Sequence, residues 1–251
     1  MKKRGIKMKE NKYDQAAFFQ QYRQMNRSKE GLAGAGEWHE LEKMLPDFKD
    51  KRVLDLGCGF GWHCIYAVEH GASDVIGVDL SENMLAEAKK KTDSPKIHYL
   101  HQAIEDYDYP KAAFDCVISS LAFHYLADFD AICKKINHTL KPDGTFVFSV
   151  EHPVFTACGT QDWYTNDAGE ILHWPVDCYF IEGKRVSHFL GEDVTKYHKT
   201  LTTYLNSLLK NGFDITSIVE PEPAPELLAT IPEMQDELRR PMMLLVSARK
   251  K

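Results

Sequence analysis

One stretch limits the possible folds of this chain more than any other. Residues 53 to 61 read Val-Leu-Asp-Leu-Gly-Cys-Gly-Phe-Gly. A short apolar strand here runs into Gly57, Gly59 and Gly61, with Asp55 just ahead of the first glycine. Glycines at this spacing let the backbone turn tightly and let a ligand approach without meeting a Cβ. The helix expected next, Gly61 to His70, would aim its N-terminus at that ligand. A second buried-type strand, Val75-Ile76-Gly77-Val78, ends in Asp79-Leu80-Ser81. In a βαβ unit of this length, an acid at that place accepts hydrogen bonds from ribose hydroxyls. The other reading of Asp79 is a cap for the helix starting near Ser81 and Glu82.

Asp55 selects among nucleosides. A pyrophosphate at the glycine turn would be repelled by the carboxylate, which disfavours nicotinamide and flavin dinucleotides. S-adenosylmethionine has adenosine, no phosphate, and an ammonium and a sulfonium at its far end, so an acid suits it. Asp55 can also brace the loop without touching a ligand. Further along come Phe114-Asp-Cys-Val-Ile-Ser-Ser120-Leu-Ala-Phe-His124-Tyr and Leu140-Lys-Pro-Asp-Gly144-Thr-Phe-Val-Phe. With Asp55–Gly61 and Val78-Asp79-Leu-Ser-Glu-Asn-Met84-Leu, these resemble, in order, four motifs of the class I S-adenosylmethionine-dependent methyltransferases. The resemblance spans Lys51 to Val150. It implies that the methionine end lies against Asp55, Gly57, Cys58 and Gly59, with Ser119 and Ser120 near the amino group. It places the ribose on Asp79, with Leu80 and Met84 as apolar contacts, and the adenine near Gln102, Ala103 and Ile104. Many relatives have Asp where this chain has Gln102; an amide still bonds an adenine edge. Met84 and Ile104 can equally be core residues.

Strand-like runs at Arg52–Leu56, Asp74–Val78, Ile97–Leu100, Cys116–Ser119 and Thr145–Val150 alternate with helical patterns at Gly61–His70, Glu82–Lys91 and Phe129–Leu140. This alternation predicts an α/β fold: one Rossmann-like sheet, mostly parallel, with helices on both faces. Phe213–Val219 and Met242–Arg249 resemble the closing antiparallel hairpin that completes a seven-stranded sheet. Ligand is expected beyond the carboxyl ends of the strands.

Two regions add to this core. Residues 1–45 form an N-terminal helical segment, with Phe18, Phe19, Tyr22 and Met25 at helical spacing ahead of Glu30-Gly-Leu-Ala-Gly-Ala-Gly36. It is read either as an amphipathic helix packing on the domain or as a lid, with Tyr22 and Met25 closing on the cofactor about Gly31, Gly34 and Gly36. The methyltransferase domain then occupies residues 46–251. Within it, residues 151–199 interrupt the fold after the fifth strand, too long a stretch for an ordinary connection. Phe155, Trp163, Tyr164, Trp174, Tyr179, Phe180 and Tyr197 give an acceptor-binding cap or its own minicore; His152, His173, His188 and His198 lack metal-ligand spacing.

The 251 residues suffice for one sizeable core, and the net charge of −6 gives no footprint for nucleic acid. The basic opening, Lys2-Lys3-Arg4 with Lys7, Lys9 and Lys12, precedes no apolar signal core and reads as a solvated start. Six unpaired-looking cysteines suit a reducing cytoplasm. The expectation is a cytoplasmic enzyme, off the membrane, without metal, a homodimer being compatible.

The chemistry expected is in-line methyl transfer to oxygen or nitrogen of a small molecule, leaving S-adenosylhomocysteine. An acceptor that must lose a proton needs a nearby base. His124, after the fourth strand, and His152, after the fifth, are the candidates; His124 can alternatively stack on the cofactor or bond a backbone group. Other readings are a methyltransferase for RNA or protein, a protein that binds the cofactor without turnover, and a nicotinamide dehydrogenase, which Asp55 disfavours.

Overall fold

The computed structural model describes residues 11–251. Its helices are α1 (Ala16–Tyr22), α2 (Asn26–Lys29), α3 (Trp38–Met44), α4 (Trp62–Glu69), α5 (Glu82–Lys91), α6 (Phe129–Thr139), α7 (Pro153–Thr156), α8 (Leu201–Lys210), α9 (Pro225–Thr230) and α10 (Met234–Glu237). Its strands are β1 (Arg52–Leu56), β2 (Asp74–Asp79), β3 (Ile97–His101), β4 (Phe114–Ser120), β5 (Leu140–Glu151), β6 (Tyr164–Thr165), β7 (Ile171–His173), β8 (Gly183–Phe189), β9 (Glu192–His198), β10 (Phe213–Val219) and β11 (Met243–Lys250).

Seven strands form one sheet in the order β10-β11-β5-β4-β1-β2-β3. Neighbours β5, β4, β1, β2 and β3 pair in parallel, while β11 is antiparallel to both β5 and β10. The expected closing hairpin is therefore present, with its second strand inserted beside β5. Alternation along the strands divides the apolar residues between two faces. Leu54, Leu56, Val117, Phe146, Phe148 and Val246 meet Phe129, Ile132 and Ile136 of α6 and Tyr204 and Leu208 of α8. Val53, Val75, Cys116 and Ile118 meet Cys64 and Ala67 of α4 and Leu85 of α5.

Several boundaries differ from expectation. β5 begins at Leu140, five residues before Thr145, because Leu140 already pairs with Phe114. The Pro-Asp-Gly sequence thus lies within the strand, its bend taken up by Asp143 in the left-handed region at φ 59°. α1 stops at Tyr22, so Met25 belongs to the next turn, where it precedes α2. Lys2, Lys3, Arg4, Lys7 and Lys9 lie outside the described residues, whereas Lys12 opens a 3-10 turn and pairs with Glu192 at 3.1 Å. The insertion contains two small hairpins, β6–β7 and β8–β9. No described helix is long and apolar enough to cross a membrane.

Candidate cofactor and acceptor site

The glycine turn sits between β1 and α4, beside the end of β2. Gly57 and Gly61 are left-handed at φ 75°, Gly59 at 53°, a region glycine enters without steric cost. Each has a different reason to lack a side chain. A Cβ on Gly57 would stand 2.5 Å from the Ala122 methyl, and one on Gly61 would collide with the Tyr99 hydroxyl. A Cβ on Gly59 would meet only the Met84 methyl, at 3.8 Å. Gly59 is thus the glycine whose surface faces open space, while Gly57 and Gly61 answer to packing.

Asp79 fixes this turn from β2. One carboxylate oxygen accepts from the Gly59 N–H at 2.8 Å and the other from the Ser81 N–H at 2.8 Å. Asp79 thus braces the glycine turn, while the cap of α5 weighed for it is made by Ser81, which accepts from the Met84 N–H. Each Asp79 oxygen keeps a further lone pair, and burial raises its pKa.

Asp55 is buried at 1 % exposure. Its Oδ2 accepts from the Cys64 thiol at 3.3 Å, while Oδ1 has no partner. Burial pushes its pKa up to about 7, the Cys64 hydrogen bond offsetting part of that rise. Burial likewise pushes the adjacent Cys58 thiol up to about 11, so it is a packing group rather than a nucleophile.

A second carboxylate, which sequence reasoning missed, is buried near this region. Glu37, just before α3, pairs with Arg27 at 2.9 Å and accepts from the Ser120 hydroxyl at 3.2 Å. Its other oxygen is buried without a partner. Burial opposes ionisation, but the Arg27 charge outweighs it and lowers the Glu37 pKa. Beside Glu37, burial drives the His63 pKa down to about 4, leaving a neutral ring with an unpartnered Nε2. Two buried acceptor atoms without partners, on Asp55 and Glu37, fit the ammonium of an amino-acid group.

The other expected contacts divide. Ser120 is tied to Glu37, but the Ser119 hydroxyl is turned into the sheet and donates to the Leu56 carbonyl at 2.7 Å. The Leu80 carbonyl is held by Asn11 and His101. Gln102 folds its amide back onto the Asp106 carbonyl at 2.7 Å, leaving its oxygen unengaged by that bond. Ala103 and Ile104 are buried. Met84 packs with Phe19 and Phe60, beneath the N-terminal segment.

That segment lies directly over the turn. Tyr22 meets Phe60 edge-on at 5.8 Å, and Tyr13 meets Tyr22 at 5.1 Å. Tyr13 also bonds the Tyr125 hydroxyl at 3.0 Å, beyond β4. Asp14 anchors the segment to α5, accepting from the Ser81 hydroxyl at 2.5 Å and the Asn83 N–H at 3.0 Å. Gly31 packs its backbone on the Trp62 ring, and Gly34 packs on the Asn26 carbonyl; Gly36 is open.

In both histidines expected as bases the Nδ1 lone pair already faces a backbone N–H. His124 is buried; its Nδ1 faces the Glu151 N–H at 3.4 Å, so the neutral ring carries its proton on Nε2. Burial lowers its pKa to about 4. His152 Nδ1 caps α7 through the Val154 N–H at 3.0 Å, and Nε2 pairs with Glu220 at 2.8 Å. What stands at the end of β5 instead is Glu151, bonded to Lys196 and Gln161 of the insertion. Within the insertion, Phe155 stacks on Trp174 at 4.9 Å and Trp163 meets Trp174 edge-on, with Arg240 4.4 Å over Trp174. These rings form the minicore, while Phe180 and Tyr164 are exposed. His198 is buried between Thr156 and the Tyr179 carbonyl; His173 stacks on Tyr164, and His188 pairs with Asp193.

Comparison with known proteins decides the family. A methyltransferase-domain family matches residues 54–148. A crystal structure described as a putative S-adenosylmethionine-dependent methyltransferase from Listeria monocytogenes is 67 % identical, with a TM-score of 0.84, over 88 % of this chain and 99 % of that one. The chain belongs to the S-adenosylmethionine-dependent methyltransferases. An uncharacterized Haemophilus influenzae protein is 34 % identical to this methyltransferase over 95 % of the chain and 96 % of that protein. Two shorter similarities carry acceptor names. The tRNA U34 carboxymethyltransferase of Hahella chejuensis is 34 % identical over 44 % of this chain and 35 % of its own length. The protein arginine N-methyltransferase 1 of Saccharomyces cerevisiae is 41 % identical over 53 % of this chain and 38 % of its own.

Proposed function

We propose that this methyltransferase holds S-adenosylmethionine between the glycine turn and the N-terminal segment and methylates a nucleophile at the ends of β4 and β5. The observation that carries this reading is that buried acceptor atoms on Asp55 and Glu37 stand without partners while Gly59 of the glycine turn keeps an open face. Asp55, Glu37 and Arg27 would hold the amino-acid end, Asp79 the ribose, and Ala103, Ile104 and Gln102 the adenine side. When bound, the cofactor supplies a methyl on a positively charged sulfur, so that the departing product is neutral. The chain's own part is to bind, align and exclude water. Tyr13 and Tyr22, which Asp14 ties to α5, serve as the lid.

Two acceptor classes divide the support. An enclosed acceptor end, with Glu151 and Lys196 largely buried under the insertion, favours a small molecule. The named relatives favour the alternative, an RNA or protein acceptor, since theirs are tRNA and protein arginine; each similarity covers about half of this chain or less. The comparisons thus lean toward the macromolecular reading and the enclosure toward the small one. Incubation with methyl-labelled cofactor and fractionated cell extract separates them. Label in the small-molecule fraction supports the first, label in RNA or protein supports the second, and no label in any fraction defeats the enzyme reading.

A further inference from the structure

The end of β5 carries a polar ring that lies outside the cofactor contacts. Lys196 Nζ donates to Glu151 Oε1 at 2.5 Å and to Gln161 Oε1 at 2.7 Å; Gln161 Nε2 closes the ring on Glu151 Oε2 at 2.7 Å. Lys196 is 3 % exposed. Burying an ion pair costs desolvation that its attraction often fails to recover, so such a pair is weak evidence of a stability role. Gln161 is held in the left-handed region at φ 61°, a further cost of the kind that gathers at functional sites. Nor does the sheet need the ring: Glu151 is already registered opposite Met243 of β11 through its backbone. The ring belongs to the reactive end of the fold, because the Glu151 charge reaches both His124 and Tyr125.

Burial works against ionisation of Glu151, but the Lys196 charge and the hydrogen bonds from Lys196 and Gln161 favour the carboxylate, and its pKa lies below the ordinary value. It is therefore a poor proton acceptor and a good counter-charge. In His124 and His152 the Nδ1 lone pair already accepts a backbone N–H, so the neutral rings carry their protons on Nε2. A hydroxyl, which must shed its proton to become a strong nucleophile, finds little help here. An amine that has left its ammonium proton with water before binding needs none, since its lone pair attacks directly and only the positive charge that develops on nitrogen has to be stabilised.

We infer that Glu151 anchors the acceptor subsite, with Lys196 as its positioning residue, and that the acceptor is a small amine presenting an N–H to this carboxylate. In the transfer the nitrogen lone pair becomes the new N–C bond, and the C–S bond breaks with its electron pair staying on sulfur. The nitrogen keeps its proton, hydrogen-bonded to Glu151, until water takes it after release. This inference rests on the cofactor reading above.

The test uses two cofactor analogues and no acceptor. Sinefungin carries a C–NH3+ where the methylsulfonium stands, and S-adenosylhomocysteine carries neither charge nor methyl. Wild type is expected to prefer sinefungin. E151Q, and the E151Q/K196M double variant that leaves no lone buried charge, should lose about ten- to a hundredfold of that preference while binding S-adenosylhomocysteine as wild type does. An unchanged preference in the folded double variant overturns the inference and spares the cofactor reading. Failure of wild type to bind either analogue overturns both. With labelled cofactor and fractionated extract, label on nitrogen in the small-molecule fraction supports the assignment; label on oxygen, or in RNA or protein, overturns it.

Discussion

Asp55 should make cofactor affinity fall in mild acid. Its carboxyl is buried, and burial pushes its pKa from 3.8 to about 7. In the free protein near neutrality the group is therefore about half protonated. A bound ammonium at Oδ1 favours the charged form, so binding below pH 7 must first expel that proton. With a pKa of about 7, the ionised fraction is roughly 25-fold smaller at pH 5.5 than at pH 7.5, and affinity should drop by about that factor, near 2 kcal/mol. Above about pH 8 affinity should fall again as the ligand's own α-amino group deprotonates. Calorimetry in buffers of different ionisation enthalpy reads the proton directly, with close to one released per ligand at pH 6. D55N should bind more weakly at pH 7.5 and lack the acid limb. The same group shapes folding. Between about pH 4 and 7 the native state holds a proton that the unfolded chain has lost, so native stability falls as pH rises through that window. The total is up to about 4 kcal/mol, and stability is flat above the window. Were the ammonium held by Glu37 alone, which Arg27 keeps ionised, affinity would not change between pH 5.5 and 7. A flat wild-type profile, or an equal slope in D55N, refutes the reasoning.

Other outcomes follow from the same geometry. G59A should cost about 1–2 kcal/mol of stability for its left-handed backbone, yet remove cofactor binding, because its methyl enters the open face. G61A, whose Cβ meets the Tyr99 hydroxyl, should lose clearly more in thermal unfolding; equal losses for the two would contradict the distinction between them. D14A removes acceptors used by Ser81 and Asn83 and should weaken cofactor binding several-fold by loosening the N-terminal segment, at a cost of about 1 kcal/mol. Unchanged affinity in D14A would separate the segment from the pocket.

The central sheet was legible because its signals are local. Each strand pattern, each glycine and the acid after β2 sit within a few residues of the element they define, and β1 through β4 fall close to where alternation places them. The β5 boundary moved because pairing between Leu140 and Phe114 overrides the turn chemistry of Pro-Asp-Gly. The site was legible only in part, since half of it is assembled from a distance. Glu37 looks like any surface glutamate ahead of a helix until Arg27 and Ser120 close on it. Lys196 sits in a strand of otherwise ordinary polar alternation, and only the folded chain brings it to Glu151, 45 residues away. Ser119 shows the converse: adjacent serines look alike in sequence, but the pleat sends one hydroxyl into the sheet and the other toward Glu37.

The most direct test of the central claim is calorimetric titration of purified protein with S-adenosylmethionine and S-adenosylhomocysteine near pH 7.5, wild type beside D79A. The geometry predicts micromolar binding of both ligands by wild type and its collapse in D79A, which loses the carboxylate that holds the Gly59 N–H and is proposed to meet the ribose. Absence of binding by well-folded wild type would contradict the assignment of this pocket to the cofactor.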